Sequence, residues 1–237
     1  TLPKMKKLFF IPVLLAMSLI LNAQSLEEIV RNYTAANRFD QIANRKSIRI
    51  TARMSMMGME TPMEIWMKNP NKVKTVMNMG GQDIIQAFDG EKGYSVNPMT
   101  GSTQPVEMKP EEIKQLLSNN LFDNMVDKFL KNGQLELAGE EAVKGRPAIK
   151  IKAVYEPGTT GYLYIDKETW YLVKQAMNVN QGGMQATVET YPSDYREIGG
   201  IVLPMKMTTS VSGMEMQVTF TNVEIDVPMD DSVFRLK

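Results

Sequence analysis

The sequence predicts a mainly β (α+β) protein: an incomplete antiparallel β-barrel, or strongly curved sheet, with an N-terminal helix and a helical lid. Three observations carry this. Apolar and polar residues alternate with period two in one segment after another, the pattern of half-buried strands. Clusters of Gly, Asn, Pro and Asp separate those segments by a few positions, which suits hairpins in a meander. The alternation is interrupted once, from Pro110, by a stretch with helical spacing. At 237 residues the chain is long enough for one domain with a core and short for two.

Elements follow in chain order. In "MKKLFFIPVLLAMSLILNAQ", Lys6 and Lys7 precede an uncharged run from Leu8 to Leu21, and polar residues with Ala23 follow. That is the layout of a secretory signal peptide, and the run is short for a permanent span. Residues 1–23 are therefore expected to be a signal peptide, with "TLPK" as an upstream extension, Met5 as the start and cleavage near Ala23–Gln24. The mature chain is expected to be exported. Removing these residues leaves 24 basic against 27 acidic side chains. With no cysteine, the chain offers neither a disulfide nor a lipidated N-terminal anchor, so stability falls to the core.

"SLEEIVRNYTAANR" has the Ser25/Glu28 capping-box spacing and an apolar stripe at Leu26, Ile29, Val30 and Tyr33, which predicts a helix to about Arg38. In "SIRITARMSM" the period switches to two. "GMETP" is a turn, Met63, Ile65 and Met67 mark a second strand, and Val73, Thr75, Met77 and Met79 a third. "DIIQAF" and "KGYSV" flank a turn at Asp89–Gly90. Over residues 110–131, Pro110 with Glu111 and Glu112 opens two short helices, closed by Asn132–Gly133. Seven further strand segments run from Gln134 onward, separated by turns such as "EPGTTG", "DKET" and "IGG".

Methionine is the unusual component. "MSMMGMETPM" holds five in ten residues, and Met54/Met56, Met63/Met67, Met77/Met79, Met205/Met207 and Met214/Met216 sit at spacings of two or four. Each pair therefore occupies one face of its strand. Unbranched, polarizable side chains suit a wall that must fit variable apolar partners, or simply fill a core. Met54, Met56, Met57 and Met59 also form a candidate set of soft ligands for Cu(I).

Other classes find little support. Balanced charge, with 27 basic and 27 acidic residues, gives no nucleic-acid footprint. The chain has no histidine, nucleophile elbow, phosphate loop or zinc motif, so neither an enzyme nor a cofactor is expected. A β-rich envelope protein without a cavity remains the alternative to a carrier.

From "EIWMKNPNKVKTVMNMGGQDIIQAFDGEKGYSVNP" the order of parts resembles the LolA/LolB-like lipoprotein-carrier family. "YLYIDKETWYLVKQ", "YREIGGIVLPMKM" and "VPMDDSVFRLK" are similar to its second half. Asn69 stands where the dedicated carriers have an arginine. The resemblance covers roughly Leu26 to Lys237 and implies a single domain over residues 24–237, with a curved sheet around an apolar cavity and residues 110–131 as its lid. It implies acyl chains of lipoproteins or other envelope lipids as cargo, an inner-membrane lipoprotein-releasing transporter as donor and an outer-membrane acceptor. The expected cavity wall is Ile50, Met54, Met56, Met63, Ile65, Met67, Met77, Met79, Met205, Met207, Met214, Met216, Val218 and Phe220. Leu116, Leu117, Phe122, Met125 and Phe129 would line the lid.

Overall fold

The computed structural model describes residues 24–118, 120–181 and 184–236, so the expected signal peptide, residues 1–23, lies outside them. Helix α1, Leu26–Ala36, starts as the sequence predicts: Ser25 Oγ accepts from the Glu28 N–H at 3.2 Å, and Ile29, Val30 and Tyr33 form the buried face. It stops where Arg38 turns left-handed, with φ 53, and a short helix α2, Phe39–Ala43, follows that the periodicity did not reveal.

Six strands come next: β1 Ser47–Met56, β2 Met59–Lys68, β3 Lys72–Met79, β4 Gln82–Phe88, β5 Gly93–Asn97 and β6 Ser102–Glu107. The last escaped the sequence reading because Pro105 demotes its pattern, but β6 is an edge strand, where a missing N–H costs little. Helices α3, Pro110–Leu117, and α4, Met125–Lys131, occupy the predicted interruption. Pro110 fills the first helical position of α3, and Glu112 Oε2 accepts from the Lys109 N–H at 2.7 Å. Seven strands complete the fold: β7 Leu135–Val143, β8 Arg146–Glu156, β9 Thr159–Asp166, β10 Leu172–Gln181, β11 Met184–Ile198, β12 Ile201–Val211 and β13 Met214–Ile225.

All belong to one 13-stranded antiparallel sheet that does not close, in the order β6-β5-β4-β3-β2-β1-β13-β12-β11-β10-β9-β8-β7. Sequential neighbours pair everywhere except at one seam, where β1 meets β13 from Ile48↔Ile225 to Met56↔Met216 with a bulge at Thr51/Ala52. The sheet thus has two arms, β1–β6 and β7–β13. Because β6 and β7 are its opposite edges, the segment carrying α3 and α4 must cross the whole inner face to join them.

The core lies between that face and the helices, in two parts. Ile48, Ile50, Met67, Val73, Phe88 and Leu203 pack with Leu116 of α3. Ile151, Leu163 and Ile165 of the second arm pack with Ile29, Val30 and Tyr33 of α1 and Val126 of α4. Phe39 touches both parts. Removing each such side chain from water contributes about 1.5–3 kcal/mol. Among the described residues no helix is long and apolar enough to cross a membrane.

Candidate functional site: the covered inner face

Register puts the expected wall on one face. Ile50 stands opposite Ile65, Met63 opposite Met77, Met54 opposite Val218 and Met56 opposite Met216. Met207 pairs with Val218 and Met214 with Val211, while Met205 and Met79 share a face with the residues two positions along. Burial is graded along it. Ile50, Ile65, Met67, Met205 and Phe220 belong to the buried core, and Met63, Met207 and Val218 pack against it half-covered. Met54, Met56, Met77, Met79 and Met216 lie further along the strands, half-buried, and Met214 is 59% exposed. The helices thus cover one end of the wall and leave a methionine rim uncovered at the other. Met57, counted among the soft ligands from sequence, sits in the β1–β2 turn with φ 51 and 80% exposed, so it leaves that face.

Of the lid residues, Leu116 is buried, and Leu117 and Phe122 pack on the first arm's cluster. Phe129 packs on the second and meets Tyr155 edge-on at 5.2 Å. Met125 is half-buried and belongs to neither cluster; its neighbour Val126, 2% exposed, fills that role. Sequence reasoning also passed over the second arm's share of the inner face, Ile149, Ile151, Leu163 and Ile165, which α1 and α4 cover. The alternation in "AIKIKAVY" and "GYLYID" carried that signal, but these strands have no methionine pairs to draw attention.

Helix α3 spans the open side. On one flank it presses on β5, where a Cβ added to Gly93 would lie 2.7 Å from Ile113 Cγ1. On the other, Lys114 forms an ion pair with Glu156 at the end of β8, which lowers the Glu156 pKa. Both partners are exposed, and such a pair holds weakly. Beyond it, Asn120 Nδ2 donates to the Pro70 carbonyl at 2.9 Å, and Asn124 Nδ2 ties α4 to Thr34 Oγ1 of α1 at 3.0 Å. Asn69 is a local pin: its Nδ2 donates to the carbonyls of Ala43 and Arg45, each at 2.9 Å.

Charge is kept off the wall. Arg49 pairs with Glu64 at 3.1 Å and Glu224 at 3.8 Å on the opposite face of the sheet. At the covered end, the segment after β13, carrying Asp231 and the buried Phe234, folds over β2 and β3, and hydrogen bonds from Lys68 and Lys72 hold the Asp231 carboxyl down at about 2. Among the described residues no three His, Cys, Asp or Glu side chains gather to hold a metal. Two surface concavities stand out: one of about 720 Å³ between the outer sides of α1, α2 and α4, and one of about 330 Å³ at the methionine rim.

An open antiparallel sheet whose apolar face is crossed by a helical strap is the fold of LolA-like proteins. Solved structures with this fold include a putative outer membrane lipoprotein-sorting protein domain from Vibrio parahaemolyticus (TM-score 0.63, 10% identity, 89% of this chain and 97% of that one). A DUF1329 family protein from Desulfovibrio piger ATCC 29098 gives 0.60 at 14% identity over 87% and 97%. A LolA superfamily protein from Nitrosomonas europaea gives 0.58 at 10% identity over 90% and 98%. At such identities the likeness is one of fold. No curated protein matches the sequence. A family model described as "-like: Uncharacterized protein" matches residues 97–237, more than half of the chain, and the chain belongs to that family.

Proposed function

We propose that the protein is a non-catalytic, periplasmic carrier that shelters acyl chains of lipids or lipoproteins against the inner face of its sheet. In this reading residues 1–23 direct export and residues 24–237 form one lipid-binding domain. The observation that carries it is the shared cluster: Leu116, Leu117 and Phe122 of the strap bury the same wall as Ile50, Ile65, Met67, Met205 and Phe220. In this reading the short helices, seated by a few apolar side chains such as Leu116 and by few polar contacts, lift away to admit cargo, and the wall beneath is apolar and rich in adaptable methionine. An acyl chain that took their place would gain about 0.8 kcal/mol per methylene removed from water. The structurally similar Vibrio protein is a putative lipoprotein-sorting protein, which agrees with such cargo. A donor at the inner membrane and an acceptor at the outer membrane complete the proposed route.

The test uses the absence of native cysteine. Gly93→Cys with Ile113→Cys places two thiols within disulfide reach and would lock α3 onto β5. An apolar fluorescent fatty acid should bind the reduced double variant, be excluded after oxidation, and bind again after reduction. Native mass spectrometry of gently purified wild type should show added mass that fragments into acyl chains. Equal probe binding in both redox states would reject the strap as gate. A bare polypeptide that takes up no probe would leave the filled-sheet alternative.

A further inference from the structure

At the uncovered end of the wall, three methionines stand side by side on adjacent strands. Met56 of β1 pairs directly with Met59 of β2 on one side and with Met216 of β13 on the other. Directly opposed residues in antiparallel strands have Cβ atoms about 4.5–5.5 Å apart. Three thioether arms from such a row, each with three rotatable bonds, can bring their sulfurs to a common point. Met56 and Met59 line a concavity of about 330 Å³ together with Met54, Met79 and the buried Thr61, and Met216 borders it through its pairing with Met56. Met59 is 61% exposed, so a small ion reaches the row without any movement of the helical strap.

The donor chemistry is narrow. The chain contains no histidine and no cysteine. Glu60, which also rims the concavity, belongs to the opposite face by strand parity and lies 3.7 Å from Arg53. Thr61 and Asn78 add only a neutral hydroxyl and a neutral amide, weak ligands beside a row of soft sulfurs, and such a set favours Cu(I) and its analogue Ag(I) over zinc, magnesium or calcium.

We propose that Met56, Met59 and Met216 form a thioether site for one Cu(I) ion at the open rim of the sheet. Met54 and Met79 stand as flanking donors, and Met57 takes no part because the turn carries it away. A thioether does not titrate in water, so the site keeps its ion at mildly acidic pH, where imidazole or carboxylate sites release theirs.

The experiment is anaerobic competition of the purified chain, signal segment removed, against a chromophoric Cu(I) chelator, with Ag(I) as a redox-inert check. Single variants Met56→Leu, Met59→Leu and Met216→Leu keep volume and apolarity, and circular dichroism confirms their fold. Changing residues that merely support a metal's ligands costs about 10–100-fold in affinity, so removing a ligand should cost each variant at least tenfold, whereas Met57→Leu should change affinity less than about twofold. Affinity should stay flat between about pH 5 and 7.5, and X-ray absorption should show sulfur neighbours alone. Absent stoichiometric binding, an unchanged Met56→Leu, or nitrogen and oxygen neighbours would overturn the site. Fatty-acid probe binding by the leucine variants reports separately on the carrier reading, since leucine preserves the apolar wall.

Discussion

Asp166 shows how much a single turn residue can hold. It closes β9 with its side chain 1% exposed, 2.8 Å from the Arg146 guanidinium. It accepts from the Glu168 and Thr169 N–H groups at 3.0 and 2.8 Å and from the Thr169 hydroxyl at 2.9 Å. Burial is the largest single influence and pushes its pKa up, but these donors together outweigh it and hold the carboxyl below its ordinary range. A depressed carboxyl contributes stability above the ordinary aspartate pKa of about 4 and loses it as pH falls through the folded value. Asp166→Asn should therefore cost about 1–3 kcal/mol in urea unfolding at pH 7, and the gap to wild type should narrow below about pH 4. Gly161 is demanding in a different way. Its backbone is ordinary, but an added Cβ would meet the Ala176 carbonyl oxygen at 2.4 Å. Gly161→Ala should lower stability by about 1–3 kcal/mol through forced displacement of β10, read as a lower urea midpoint with an unchanged slope. "DKET" was legible as a turn, but neither the set of donors at Asp166 nor the space at Gly161 was. Both depend on neighbours that only the paired strands bring near.

The elements were legible wherever a period governed them. Every strand with clean alternation appears in the structure, α1 and α3 start at the residues their capping signals name, and α4 ends at the Asn132–Gly133 signal. What escaped had weak or contrary local signals, namely the five-residue α2 and the proline-bearing β6. How α3 sits was also hidden, because helical spacing gives an apolar stripe without naming the surface it meets. Leu116 is the residue that seats this helix, 5% exposed in the first arm's cluster. If α3 opens as a unit, Leu116→Ala should act locally. Amide exchange over residues 110–117 should quicken by about tenfold or more, with the core strands β1, β8 and β9 little changed. Uniform acceleration across the sheet would instead make α3 an integral part of one cooperative core.

For the molecule as a whole, the meander was readable because short turns force consecutive strands to pair. The wall list also fell on one face, since period-two spacing fixes parity within a strand and its β13 members all precede the bulge, beyond which Val223 and Ile225 take over that face. How deep each wall residue lies was not readable. Alternation says which side a methionine takes, and only the position of the helices decides whether it becomes core, as Met67 does, or rim, as Met214 does. The pairing of β1 with β13 was equally invisible, because no local signal joins Ile48 to Ile225.

That seam has a consequence for how the chain comes into being. A ribosome delivers residues at roughly 5–20 per second, so β1 emerges on the order of ten seconds before its partner β13 exists. Throughout that interval the edge carrying Ile48, Ile50, Ala52 and Met54 has a free ladder and an apolar face. Until the late strand arrives, this newborn edge invites pairing with any other nascent strand, the usual route to aggregates. The arrival of β13 ends that exposure, since the β1 edge is then paired from Ile48 to Met56.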